Sequence, residues 1–325
     1  MSSASPLGAP SHRPDPADPS LARLLLAFAA VYLIWGSTYL AIRFAIETMP
    51  PFTMAGVRFL SAGALLYLWA RSRGAPNPTR RQVRDGAVIG AFLLLGGNGA
   101  VVWAEQWVPS GLVALLVATV PLWMVLIDWG WGDGERPSIG VALGLVQGLV
   151  GVAWLTGGLQ GEEFGPRAMV GGVVVLLGAL SWAVGSIVAR TAQAPAAPRM
   201  ATATQMLAGG AMLLAVGGGA GEWSGFAPAQ VSAASWLALA YLVVFGALVG
   251  YSAYIWLLGV TTAARVSTYA YVNPVVALVL GWALADEPLA PRTLGAAAVI
   301  LSAVLILNRL GRRRRVPVGA RPVRS

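Results

Sequence analysis

Cysteine is absent from this chain of 325 residues, which excludes disulfides, thiol nucleophiles and thiolate metal sites, and leaves compartment unreadable from redox chemistry. The one histidine, His12, stands in a Pro/Ser-rich leader, so histidine metal clusters and His-based triads are excluded as well. Lysine is missing: all 22 basic residues are arginine. Charge of either sign is scarce, at 11% of residues against 57% hydrophobic, too little to coat a water-soluble globule of this size. Such a chain belongs in lipid. The sequence also lacks an H-E-x-x-H element, an Asp-rich phosphate-and-magnesium motif and any plausible Ser/His or Asp/Asp pairing, which argues against an intramembrane enzyme.

What the chain has instead is apolar runs of membrane length. A helix needs about 20 apolar residues to cross the hydrocarbon, and ten segments qualify: roughly 22–46, 53–70, 86–107, 110–131, 139–158, 169–190, 200–220, 234–258, 263–284 and 293–310. They lack the alternation of a membrane barrel and are rich in Ala, Leu and Gly. The expected fold is an all-α integral membrane protein of ten transmembrane helices. Residues 1–20 read as a disordered tail with no cleavable signal, and residues 311–325 as a basic tail.

Arginine sets the orientation. With both termini cytoplasmic, eighteen of the 22 arginines fall on the inner side, only Arg43, Arg167 and Arg292 outside, and Arg58 within a helix. The outer loops carry Glu47, Glu162, Glu163, Glu222, Asp286 and Glu287. The clustering of arginine between apolar runs fits topology rather than nucleic-acid binding.

The sequence repeats itself. Gly97, Ala100, Trp103 and Pro121 fall on Gly250, Ala253, Trp256 and Pro274 at one constant spacing. At a second, Trp35, Arg43, Pro51, Arg58 and Gly63 fall on Trp182, Arg190, Pro198, Gln205 and Gly210. Repeats at 21–158 and 169–310 would each hold five helices, and an odd number forces the second copy to enter the membrane from the opposite side. The expectation is a 5+5 inverted-topology repeat, an architecture suited to alternating access.

The residues Trp35-Gly36-Ser37, Arg43, Pro50-Pro51 and Arg58-Phe59 resemble the opening of EamA-domain proteins of the drug/metabolite transporter superfamily, especially the ten-helix YedA-type permeases. Asp286-Glu287-Pro288-Leu289, Gly295 and Asn308 are similar to the end of a second EamA domain, and Gly134-Glu135-Arg136-Pro137 to the same turn in the first. The resemblance spans 22–310. It implies export of small metabolites, amino acids or drugs across a bacterial inner membrane, and does not imply a particular cargo. One departure stands out: in the sixth segment the Trp-Gly-Ser signature becomes Trp182-Ala183-Val184-Gly185-Ser186.

Candidate site residues follow from the repeat. Asn98, Val101 or Val102, and Glu105 share one face of the third helix, and Tyr251, Tyr254 and Leu258 are their counterparts on the eighth. Across a pseudo-axis they would wall a small-molecule pocket, joined by Trp35, Tyr39 and Trp103; the same aromatics could equally serve packing. Pro121 and Pro274 break their helices and free the carbonyls of Val117 and Ala270 for a substrate ammonium or a neighbouring hydroxyl. Thr119 and Asn273 stand at the same depth, with Tyr269 a weaker candidate.

Arg58 deep in lipid would cost about 2.5–3.5 kcal/mol, so it should face the bundle and have a partner. Glu105 is the expected one, as a structural ion pair or as part of a coupling site. Glu105 could also exchange protons during transport, or be merely wetted at its helix end. No cofactor or metal is called for; the partners are a small-molecule substrate, the bilayer and protons if coupling holds. The leading reading is an exporter of a small amphipathic metabolite, such as an amino acid. A channel-like facilitator, or a non-transporting assembly or sensor protein, is the alternative, although internal loops are short for the latter.

Overall fold

The computed structural model describes residues 20–131, 139–158, 165–192, 197–261, 263–266 and 268–311. The leader, the basic tail and the 134–137 turn lie outside these residues. Among them all regular structure is helical, with no strand.

Helix α1 runs Leu21–Ala45, α2 Pro51–Ser72 and α3 Arg80–Ala104. The fourth, α4, comes in two halves, Ser110–Val117 and Val120–Trp131. Then follow α5 (Ile139–Gly158) and α6 (Gly165–Thr191). Next come α7 (Pro198–Gly219) and α8 (Ala233–Val260). After a single turn at Ala263–Val266 the chain closes with α9 (Tyr269–Ala285) and α10 (Pro291–Gly311).

Six of these, α1, α2, α3, α6, α7 and α8, are long and apolar enough to cross a membrane. The expectation of ten full-length spans is met by six. The other four stretches, Ser110–Met124, Ile139–Leu155, Val272–Ala285 and Pro291–Ile306, are apolar but shorter. In α4 the reason is local. Thr119 lies between the halves and its hydroxyl donates to Leu116 O at 2.6 Å, while Pro121 is the second residue of the second half, where its missing N–H costs nothing. The proline therefore restarts a helix rather than kinking one. Pro274 does lie inside its helix, six residues into α9.

Helix starts are set by ordinary chemistry. Thr79 and Gln82 form a capping box on α3, Ser232 caps α8, and Pro51 and Pro198 open α2 and α7 at the position where proline is preorganised. Two further starts are capped from a distance. Glu222, beyond the end of α7, accepts from Phe52 N (3.0 Å), Thr53 N (2.7 Å) and Thr53 Oγ1 (2.8 Å) at the start of α2. Glu287, beyond α9, accepts from Ser110 N (2.8 Å) and Gly111 N (3.1 Å) at the start of α4. Each carboxylate meets the positive end of a helix dipole while satisfying N–H groups that have no partner within the helix.

Packing follows a pattern. α2 lies along α7, α5 along α10 and α4 against α9, while α3 packs on α6 and α8 on α1. Stretches of wider, π-helical winding interrupt α1 at Ala30–Ile34, α3 at Ala91–Asn98 and α8 at Leu242–Tyr251. Such insertions turn the following side chains toward new neighbours and concentrate at functional sites. The stretches in α3 and α8 end on Asn98 and Tyr251, the two residues that the repeat matches to each other.

Candidate functional site

A cavity of about 60 Å³ lies in the interior of the bundle, walled by α1, α2, α3, α6 and α8, with Val117 of α4 and Tyr269 of α9. Trp35, Tyr39 and Trp182 form much of its surface, with Arg58, Asn98 and Tyr251 among the polar contributors. The aromatic wall, with Tyr254 behind it, is a connected set. Trp35 meets Trp182 edge-on at 5.5 Å and Tyr269 edge-on at 5.7 Å, and Tyr254 lies 5.0 Å from Trp35 and 5.4 Å from Trp182. Polar tips are tied down as buried aromatics require. Trp35 Nε1 donates to Gly246 O (3.1 Å), and Trp182 Nε1 donates to Tyr254 Oη (3.0 Å), which also bonds Ser186 Oγ (2.7 Å).

These bonds explain the altered signature of the sixth segment. Trp182 and Ser186 stand one helical turn apart on α6, and both hold Tyr254. In α1 the serine next to the tryptophan turns elsewhere: Ser37 Oγ donates to Ile34 O and meets Tyr241 Oη. The two signatures therefore have different jobs.

Glycine makes room at one wall. A Cβ on Gly246 would stand 2.7 Å from Arg58 Nη2, and one on Gly250 would stand 2.5 Å from Trp35 Nε1. One turn of α8 is thus kept bare so that a guanidinium and an indole can lie against its backbone.

A wide vestibule of about 1410 Å³ opens at the end of the bundle where α1, α3 and α7 begin and α6 and α8 finish. Gln205 of α7 lines the vestibule and Tyr251 lines the cavity. Tyr251 Oη donates to Gln205 Oε1 at 2.9 Å, so a hydrogen bond joins a wall residue of one space to a wall residue of the other. The opposite end is closed by the Glu222 and Glu287 caps, by Thr48 Oγ1 donating to Ser235 Oγ (2.8 Å) and by Arg43 Nη1 donating to Glu105 O (3.3 Å).

The sequence candidates divide. Trp35, Tyr39, Arg58, Asn98 and Tyr251 line the cavity together. Tyr254 is fully buried one layer behind, bonded to the wall rather than part of it. Val102 is buried but its neighbour Val101 is the one that faces the cavity. Trp103 lies away from it, against Trp107 at 4.7 Å in a separate depression with Phe52 and Gly99, because it comes two residues after Val101 and so stands on the far side of α3. Thr119 is occupied with its own backbone, and Asn273, with its amide nitrogen oriented toward α1, donates to Tyr32 O (2.9 Å) and Val31 O (3.2 Å) where the π-helical stretch frees carbonyls. Neither proline lines the cavity, although Val117, four residues before Pro121, does.

The ion pair expected between Arg58 and Glu105 is not formed, although both residues are described. Arg58 Nε and Nη1 and both carboxylate oxygens of Glu105 are buried without hydrogen-bond partners. The arginine leans the other way, its Cζ 4.7 Å from the Phe59 ring and its guanidinium against Gly246. Glu105 is 0% exposed, not wetted at its helix end, and does not reach the cavity. Residues that sequence reasoning passed over include Thr38, Phe59 and Trp182. Trp182 was within reach, since the repeat pairs it with Trp35. Among the described residues no group of three or more His, Cys, Asp or Glu side chains is placed to hold a metal ion.

The sequence matches the EamA-like transporter family over residues 22–157 and again over 169–309. The chain belongs to that family. This EamA-family protein is 40% identical over 287 residues to the uncharacterized inner membrane transporter YedA of Escherichia coli (strain K12), covering 87% of this chain and 89% of that one. It is 27% identical to the uncharacterized transporter YvbV of Bacillus subtilis (strain 168), over 88% of this chain and 90% of the relative. A solved crystal structure at 21% identity superposes with a TM-score of 0.63, covering 90% of this chain and 99% of the other, which shows a shared fold. The protein is a membrane-embedded member of a transporter family.

Proposed function

We propose that the protein is a secondary transporter of ten membrane helices in two inverted five-helix repeats, both termini cytoplasmic, moving a small amphipathic metabolite outward by alternating access. The observation that carries this reading is the central cavity together with a vestibule at one end of the bundle, the two linked by the Tyr251–Gln205 hydrogen bond. The packing pattern supports the inverted repeat: α2 with α7, α4 with α9 and α5 with α10 pair each helix with its own counterpart, as happens near a pseudo-two-fold axis. The pairings α3 with α6 and α8 with α1 are also exchanged by that relation.

By the arginine bias the vestibule is cytoplasmic, so this conformation faces inward with its outer end closed. The aromatic walls and few polar groups suit an amino acid or related compound better than a bare ion. Outward direction follows from the family resemblance. Glu105, buried without partners at the closed end, is the group we assign to proton coupling.

Reconstitution into liposomes with a panel of amino acids, nucleosides and cationic drugs, with and without imposed proton and voltage gradients, tests the reading. Saturable counterflow of at least one cargo is expected. Non-saturable flux would indicate a channel, and counterflow indifferent to the pH gradient, with normal activity in Glu105→Gln, would remove the proton.

A further inference from the structure

We infer that Arg58 is the specificity-determining group of the central cavity, selecting cargo that carries a carboxylate and rejecting cations. The inference rests on the carrier reading above and narrows it to a substrate class.

Arg58 stands seven residues past the start of α2, about 10 Å down the helix axis. It is 3% exposed, and among the described residues lining the cavity it alone is charged. Two of its nitrogens, Nε and Nη1, have no hydrogen-bond partner in the protein, and no carboxylate pairs with it. A buried guanidinium left in this condition is costly unless something else supplies an acceptor. The protein's own acid does not. Glu105 is within electrostatic reach of Arg58 but makes no hydrogen bond or ion pair with it, and Glu222 and Glu287 are engaged on helix starts.

A guanidinium takes the two oxygens of a carboxylate side by side along its Nε–Nη2 edge or its Nη1–Nη2 edge, and in Arg58 each of these edges includes a nitrogen without a partner. Gly246, bare of a side chain, gives this guanidinium room against α8. A second unpartnered atom shares the cavity: Asn98 Oδ1, an acceptor that would take a donor from the same ligand. The remaining walls are aromatic and aliphatic. The ligand that satisfies both orphaned groups has a carboxylate, a nearby N–H or O–H and an apolar body.

The approach is consistent in sign. Arg23, Arg199 and Arg265 line the vestibule against Asp85 as its one acidic residue, among the described residues. Asp85 itself is paired with Arg84 at 3.0 Å. Anions would be drawn inward and cations repelled before reaching the Tyr251–Gln205 hydrogen bond.

The test compares ligands matched in shape and different in charge: 3-methylbutanoate, 3-methylbutanamide, 3-methylbutylamine and leucine. Binding to the purified full-length protein is followed by isothermal titration up to the solubility limit. The acid and leucine should bind about 10- to 100-fold more tightly than the amide, the ordinary range for a buried charge-assisted bond, and the amine should not bind. Arg58→Gln should bring acid and amide to parity. Arg58→Lys, which keeps the charge without the two-pronged edge, should restore part of the difference. Size-exclusion chromatography and the thermal midpoint of each variant report whether it folds; if Arg58→Gln does not, the wild-type ratios and the Arg58→Lys ratio decide.

Equal binding of acid and amide, preference for the amine, an unchanged ratio in a folded Arg58→Gln or no binding of any of the four would overturn the inference. Liposomes that bind the acid selectively but show no counterflow would sink the carrier reading and leave Arg58 in place. Counterflow of cargo without any preference for carboxylates would do the reverse.

Discussion

Tyr254 shows how much of this site depends on single polar atoms. Its hydroxyl accepts from Trp182 Nε1 and bonds Ser186 Oγ, with Tyr254 and Ser186 both buried. Tyr254→Phe keeps the ring and orphans an indole N–H, while Ser186 Oγ keeps its bond to Trp182 O. We expect a loss of about 1–3 kcal/mol, seen as a lowered thermal midpoint in detergent, and weaker ligand binding because the Trp182 wall is no longer fixed. Ser186→Ala leaves only the weaker partner unmet and should cost less. At Gly246 the expectation is steric. A methyl group 2.7 Å from Arg58 Nη2 and 3.0 Å from Thr38 Cγ2 forces the guanidinium aside, so Gly246→Ala should destabilise by about 1–3 kcal/mol and impair ligand binding more than Gly259→Ala, whose added Cβ meets nothing within 4 Å.

Asn98 and Tyr251, matched by the repeat, line one cavity with Trp35, and Arg58, legible as a charge inside an apolar helix, joins them there. Trp103 was matched by the same repeat but stands on the far side of α3 from Val101. A π-helical stretch also interrupts α3. No residue in Ala91–Asn98 announces that insertion, since the extra backbone length is accepted only because α6 and α7 pack around it. Partner choice was equally hidden. Glu105 and Arg58 read as natural partners by depth, but depth along a helix says nothing about azimuth.

At the level of helices, the two long-range caps are the devices that hold the closed end together. Glu222 ties the loop after α7 to the start of α2, and Glu287 ties the loop after α9 to the start of α4, so each bond joins one half of the chain to the other. Replacing either carboxylate by glutamine removes the charge facing the helix dipole and weakens the bonds, at about 0.5–2 kcal/mol each. The expected consequence is a bias toward the conformation open at that end. A single cysteine at Thr48, beside both the α1 end and Ser235, should react with a membrane-impermeant maleimide faster in Glu222→Gln/Glu287→Gln than in the parent; equal rates would show that the caps stabilise without latching. In the sequence these two residues are simply acidic loop positions, and their function exists only because α7 returns beside α2, and α9 beside α4.

For the whole molecule the testable matter is orientation, and the absence of cysteine makes it clean to measure. Cysteines introduced one at a time at Ser11 and Ser325 should be labelled only after permeabilisation, while Ser224→Cys, on the exposed loop after α7, should be labelled in intact cells. Labelling of the two termini from opposite faces would dismantle the five-plus-five arrangement and, with it, alternating access between equivalent halves.

Composition and periodicity by themselves decided the environment, the helical class, the boundaries of most helices and the existence of two related halves. These depend on quantities that each stretch of chain carries with it, such as apolar length, capping residues and proline position. Six helices long enough to span and four shorter ones, the winding of α3 and α8, the bond between Tyr251 and Gln205 and the lack of a direct bond between Arg58 and Glu105 came only with the tertiary structure. Each of these requires knowing which face of one helix meets which face of another. That is settled by the packing of all the helices at once, through bare glycine surfaces and buried hydrogen bonds between residues far apart in the chain.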